Sequence, residues 1–192
     1  MYIYGPHDDL YYAKMAHSLI HHQWMGSYNQ MTLIKMPFYG FFLVLSSLTG
    51  QSLLLNETFF YIIACITLFF AISPLISNLW SRYLLFTILL FMPASLATST
   101  NIRIYREFTD ISLTLYFISF SIGLFLRLYR KITTVCLWAI GFGLSSGAFL
   151  ISREESLWIY PFIFIVTSVS LISIWKGKIS EKLFRSILII SQ

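Results

Sequence analysis

Negative charge is scarce in this chain. Only eight aspartates and glutamates occur in 192 residues, and charged residues of both signs make up 11%. A soluble domain carries about 25% charged residues, so a soluble globular protein is excluded. Cysteine is nearly absent as well. Cys65 and Cys136 each lie inside an apolar run, where they read as small hydrophobes rather than a disulfide pair, and no CxxC or related metal-binding spacing exists. Lys and Arg together number 13, for a net charge of +5, but they fall in short segments between apolar runs and form no continuous basic face. Nucleic acid is therefore not an expected partner.

Apolar residues fill the space that charge leaves. The chain is 57% hydrophobic and 18% aromatic, with a mean hydropathy of +0.74. Its apolar runs are far longer than the ~10-residue alternating strands of a membrane barrel. The expected fold class is thus all-α, a polytopic transmembrane helical bundle in a lipid bilayer. Five runs are long enough to span: Thr58–Ser77, Leu79–Thr98, Phe108–Leu126, Ile132–Ile151 and Leu157–Trp175. About 20 helical residues cross a ~30 Å hydrocarbon core. Pro37–Gly50 is also apolar but, at 14 residues, too short to cross. It is expected to form a short re-entrant hairpin or interfacial segment. The chain accordingly divides into an outer loop over 1–57, a five-span bundle over 58–175 and a cytoplasmic segment over 176–192, where a further apolar run begins.

With the N-terminus outside, the inner segments hold Arg82, Arg127, Arg130, Lys131, Lys176, Lys178, Lys182 and Arg185. The outer segments hold Lys14, Lys35, Arg103, Arg106 and Arg153. The bias favours this multi-pass orientation in a plasma or inner membrane. Seven acids, Asp8, Asp9, Glu57, Glu107, Asp110, Glu154 and Glu155, then fall outside, and only Glu181 falls inside. Acids contribute little to topology, so their clustering points to a site on the outer face.

The first 36 residues differ from the rest. Gly5-Pro6 signals a turn, after which Asp8 or Asp9 can cap a helix. Tyr12, Met15, Ala16, Leu19 and Ile20 recur on one side, with Lys14, Ser18, His21 and His22 on the other. This predicts an amphipathic helix lying on the outer leaflet, with Trp24 at interface depth. His17 and His21 stand four apart, a spacing zinc can use, but no third ligand accompanies them. Gly143-x-x-x-Gly147, with Gly141, predicts close helix packing in its span.

The order of these features resembles a known pattern. An acidic pair with a tyrosine three residues after it (Asp8-Asp9-x-x-Tyr12) leads the amphipathic helix. A W-x-G-x-Y stretch follows (Trp24, Gly26, Tyr28), then Lys35-x-Pro37-x-Tyr39, a short apolar run and Gly50. This is similar to the first outer loop of GT-C glycosyltransferases that use polyprenyl-phosphate sugars, in particular the protein O-mannosyltransferases and lipid A aminoarabinose transferases. The stretch from Arg103 to Glu107 and the pair Arg153-Glu154 also resemble outer helix ends of that superfamily. Family members carry a span before the acidic pair and further spans after the point where this chain stops, so the chain is expected to be part of a larger transferase.

The resemblance implies a membrane transferase of the cell envelope, moving a sugar from a polyprenyl-phosphate donor to an acceptor that the sequence does not identify. Asp8 would be the base, with Asp9 as its neighbour or as ligand to a divalent metal; no cofactor is otherwise implied. Lys35 would hold the donor phosphate. Tyr12, Arg103, Arg106, Glu107, Arg153 and Glu154 would complete the substrate-binding set. The chemistry suits these residue types, since a carboxylate can take the acceptor proton and a cation can hold a leaving phosphate. Plainer readings exist for each. Asp8-Asp9 suit a helix cap and Lys35 a headgroup anchor. Glu107, Asp110, Glu154 and Glu155 suit helix N-termini. At the level of the whole protein the alternatives are a lipid-linked sugar flippase or transporter, a non-enzymatic membrane subunit, or an inert truncated product. The absence of mid-span charges or an evident repeat argues against transport.

Overall fold

The structure, a computed structural model, describes residues 8–24, 26, 35–92 and 107–176. Among these residues every regular element is helical. In chain order they are α1 (Asp8–Ile20), α2 (Phe38–Thr49), α3 (Leu53–Ala71), α4 (Leu79–Leu90), α5 (Glu107–Phe125), α6 (Ile132–Leu150), a 3-10 turn (Glu154–Ile159) and α7 (Tyr160–Lys176).

Three of these helices, α3, α5 and α6, are 19 residues each and apolar enough to cross a membrane. At 1.5 Å per residue, each covers roughly 28 Å, close to a bilayer core. The chain is a membrane protein, and its surface agrees. Leu55, Phe59, Ile63, Ile66 and Phe70 make an exposed apolar stripe down α3, and Leu137, Ile140 and Leu144 do the same on α6. Water does not tolerate such stripes, whereas lipid does.

Two of the five expected spans are shorter than the sequence suggests. Helix α4 covers 12 residues, and residues 93–98, the remainder of that run, lie outside the described structure. Helix α7 covers 17 residues after the 3-10 turn. The expected hairpin over Pro37–Gly50 is instead the single helix α2. The chain reverses only at its end, where Gly50 adopts φ +68° and Ser52 caps α3 by accepting from the Leu55 amide. Gly meets no Cβ penalty in that left-handed conformation.

Helices α3 and α5 run parallel, with Tyr61 beside Phe108 near one end and Arg127 reaching Ala71 at the other. Helix α6 runs back along α5, pairing Phe117 with Phe142 and Phe120 with Trp138. The main core lies between them, built from Leu68, Leu113, Phe117, Leu124, Trp138, Phe142 and Phe149. An aromatic column runs the length of the bundle. Tyr12 meets Tyr39, Tyr39 meets Phe42, then Phe60, Tyr116, Phe120 and Trp138 follow, with successive ring centroids 5.0–6.3 Å apart. The edge and offset contacts of this column suit ring quadrupoles.

The apolar face of α1 is real but has a protein partner. Tyr12, Met15 and Ala16 are buried, Lys14 and His17 are exposed, and α1 packs on α2. Gly40 makes this possible: a Cβ there would lie 2.5 Å from Met15 Sδ. The face expected to rest on the leaflet therefore rests on α2. The glycine motif is corrected too. A Cβ on Gly143 or Gly147 meets nothing within 4 Å among the described residues, while one on Gly141 would strike Phe120. Close packing on α6 passes through Gly141 alone of the three.

Candidate functional site

The two ends of the bundle carry opposite charge. The N-termini of α3 and α5 and the C-terminus of α6 meet at one end, and Glu57, Glu107, Asp110, Glu154 and Glu155 all belong to it. The opposite end holds Arg127, Arg130 and Lys131. The acidic end gathers most of the residues singled out by the sequence.

Its most buried described acid is Glu57, 3% exposed, on the second turn of α3. The Tyr39 hydroxyl donates to Glu57 Oε1 at 3.1 Å. Tyr39 is itself 1% exposed and stacks edge-on against Tyr12, with centroids 5.2 Å apart. Tyr12, expected in the binding set, thus acts one step back, wedging the tyrosine that holds the carboxylate. It also fixes α1, and with it the backbone of Asp8 and Asp9, to this end.

The second feature is an ion pair. Arg153 Nε lies 3.4 Å from Asp110 Oδ2, with the side chains 35% and 8% exposed. Arg153 follows the C-terminus of α6, and Asp110 sits in the first turn of α5, so the pair joins two spans at their acidic ends. A carboxylate this buried is retained only with compensation, to which the guanidinium contributes an opposite charge. Asp110 thus does more than offset a helix dipole.

The third feature links the pieces. The Phe38 amide, at the first residue of α2, donates to the Ile151 carbonyl at 3.1 Å. Ile151 precedes Arg153 by two residues, and Phe38 follows Lys35 by three. The bond therefore draws the half-buried Lys35 and its Pro37 turn to the loop that carries Arg153. Below this junction an apolar groove of about 240 Å³ opens along the bundle, lined by Phe38, Phe60, Tyr116, Phe120 and Leu144 among others.

Of the residues expected from sequence, Tyr12 lies at this end against Tyr39 and Arg153 against Asp110, and Lys35 lies three residues before the Phe38–Ile151 bond. Glu107 opens α5 there and is exposed. Asp8, Asp9 and Glu154 have their backbones in α1 and in the 3-10 turn, but their side chains lie outside what is described, as do Arg103 and Arg106 entirely. The sequence reading placed Glu57 and Asp110 in the outer acid cluster and Tyr39 in the Lys35-x-Pro37-x-Tyr39 motif, but gave none of the three a role in the site and foresaw neither the Tyr39–Glu57 bond nor the Asp110–Arg153 pair. A buried acid inside an apolar run was the available signal for Glu57. His17 and His21 lie with ring centroids 4.4 Å apart on α1, and among the described residues no group of three metal-ligating side chains forms.

No family description, curated protein or solved structure matches this chain.

Proposed function

We propose that this chain is part of a membrane glycosyltransferase that works on the outer face and takes a sugar from a polyprenyl-phosphate donor. The observation that carries this reading is the junction at Phe38. One residue both begins an apolar groove and, through its amide, ties Lys35 to the Arg153 loop. A polyprenyl-phosphate sugar has the same layout: an apolar chain that stays in the membrane, a phosphate at headgroup depth and a sugar beyond it. The groove suits the chain, and Lys35 and Arg153 suit the phosphate.

In the reaction the acceptor hydroxyl attacks the anomeric carbon while the bond from that carbon to the phosphate oxygen breaks. The phosphate leaves with the electron pair, and a carboxylate takes the hydroxyl proton. Asp8 is the proposed base, following its place in the motif. A carboxylate in hydrogen-bond reach of the hydroxyl can take that proton as the new bond forms. Negative charge grows on the leaving phosphate, so a cation placed there stabilises the transition state more than the ground state. Glu57 is the proposed support of the acidic end, held by Tyr39 and through it by Tyr12.

The test uses the full chain in liposomes, with a long-chain polyprenyl phosphate as the binding probe and its glycosylated form as donor. Lys35→Ala should weaken probe binding and lower turnover, and Lys35→Arg should restore part of both. Asp8→Asn should leave probe binding intact and lower transfer by on the order of 10²-fold. Equal probe binding by the parent chain and Lys35→Ala would remove the lipid-phosphate reading.

A further inference from the structure

The basic end of the bundle contains a second polar site, unrelated to the chemistry above. A cavity of about 430 Å³ lies there, lined by Ser73, Pro74, Arg127, Arg130, Lys131 and Thr134. Arg127 is its fixed wall. Its Nη1 donates to the carbonyls of Ala71 at 3.0 Å and Gly123 at 3.3 Å, and its Nη2 to Phe70 O at 2.5 Å and Ser73 Oγ at 3.0 Å. The guanidinium also lies over the Trp138 ring, 4.5 Å from its centroid. These partners accept hydrogen bonds but bring no negative charge. Burial first, and the neighbouring Arg130 second, lower the Arg127 pKa from its ordinary value.

Arg130 and Lys131 are exposed at the rim, and Lys131 occupies the N-cap of α6 without a side-chain cap bond. The first turn of α6 contains no acid. Two cations at the positive end of a helix dipole repel it and each other. No described carboxylate lies at this end of the bundle to offset them. The positive-inside tendency accounts for basic residues on this face of a membrane, but it does not require them to surround a cavity. Ser73 accepts from Arg127 and keeps its own hydroxyl proton to donate, and Thr134 offers a second hydroxyl.

We propose that this cavity binds a phosphate group, with Arg130 and Lys131 as the contacting cations, Arg127 as the buried positive wall and Ser73 and Thr134 as neutral donors. Two sources offer that chemistry: the headgroup of an anionic phospholipid in the adjoining leaflet, or a free phosphate. Basic pockets between spanning helices commonly take lipid headgroups. The site would tie the α3–α4 and α5–α6 turns to whichever source fills it.

The experiment uses the full chain in neutral detergent micelles, titrated separately with phosphatidylglycerol, phosphatidylcholine and inorganic phosphate. Native mass spectrometry follows the lipids and calorimetry follows the phosphate. Arg127→Ala strips the α3 carbonyls of their donor and is a poor probe, so the test variant is Arg130→Ala with Lys131→Ala. Lys14→Glu, on the exposed face of α1, changes the net charge by the same amount and serves as control. Phosphatidylglycerol or phosphate should bind the parent chain, and the double variant should lose about tenfold or more while Lys14→Glu does not. Loss confined to phosphatidylglycerol assigns the site to lipid, and loss confined to inorganic phosphate assigns it to a free anion. Equal binding of phosphatidylglycerol and phosphatidylcholine with no binding of phosphate overturns the proposal. So does a double variant that binds like the parent, or a Lys14→Glu chain that loses as much.

Discussion

The Tyr39 hydroxyl holds the carboxylate of Glu57 at 3.1 Å in a site where Glu57 is 3% exposed. Eighteen residues separate them, and the bond closes the turn between α2 and α3. Tyr39→Phe keeps the ring against Tyr12 and removes only the donor. The buried carboxyl then loses its partner, at a cost of about 1–3 kcal/mol. Thermal unfolding in micelles should show that loss. Pairing Tyr39→Phe with Glu57→Leu should recover part of it, because the orphaned acceptor is gone. An unchanged melting temperature in Tyr39→Phe would mean that another donor serves Glu57.

That pair also shows what the sequence hides. The first long run was expected to begin at Thr58, just after Glu57, because a lone acid is costly inside a span. The helix begins at Leu53 instead, since Ser52 caps it and Tyr39 satisfies the acid. The limits of α5 and α6 were legible to within a residue, because Arg127 and Lys131 bracket the turn between them. The hairpin failed for a different reason. Length excluded a crossing but said nothing of where the chain turns, and the αL glycine at the end of the run, Gly50, sets that point. At the acidic end, residue type marked Lys35 and Arg153, yet the partner of Arg153 lies 43 residues earlier at Asp110. Spacing within one helix cannot reveal such a pairing.

The Asp110–Arg153 pair should behave as a coupled unit. Asp110→Asn removes the counter-charge that the Arg153 guanidinium faces at 3.4 Å, and Arg153→Gln removes that cation from beside the 8%-exposed Asp110 side chain. Each single change should destabilise the chain, because each takes an opposite charge from a partly or fully buried group. Arg153 is one-third exposed, so the coupling should fall near about 1–2 kcal/mol rather than at the upper range for buried pairs. A double-mutant cycle on thermal stability measures it. Additive effects would show that the 3.4 Å contact contributes nothing of its own.

The glycines of α5 and α6 should separate into two classes. A Cβ on Gly123 would lie 2.0 Å from Trp138 Cε3, and one on Gly141 would lie 2.2 Å from Phe120 Cε1. Both rings belong to the aromatic column, and Trp138 also carries Arg127. Gly123→Ala and Gly141→Ala should each cost about 1–3 kcal/mol through forced repacking. Gly143→Ala and Gly147→Ala should be neutral or stabilising by up to about 1 kcal/mol, since alanine is the better helix former and nothing described opposes it. Destabilisation by Gly143→Ala or Gly147→Ala would reveal a helix packed on that face, as the spacing motif suggests.

The last prediction concerns which end of the bundle faces out, on which the proposed reaction depends. The turn between α5 and α6 holds Arg127, Arg130 and Lys131 and no acid, while the ends that carry Asp110, Glu107 and Glu57 hold the opposite charge. If Lys and Arg are retained on the cytoplasmic side, the α5–α6 turn should lie inside and the α2–α3 turn outside. Gln51 lies in the α2–α3 turn and Arg130 in the α5–α6 turn, and both are exposed. In a background with Cys65→Ala and Cys136→Ala, single cysteines at these two positions report the orientation. A membrane-impermeant maleimide added to intact cells should label Gln51→Cys and spare Arg130→Cys until the membrane is opened. The converse pattern would put the acidic end in the cytoplasm. A polyprenyl-phosphate sugar presented outside would then meet Arg130 and Lys131 rather than Lys35 and Asp8, and the proposed assignment of base and phosphate anchor would fall together.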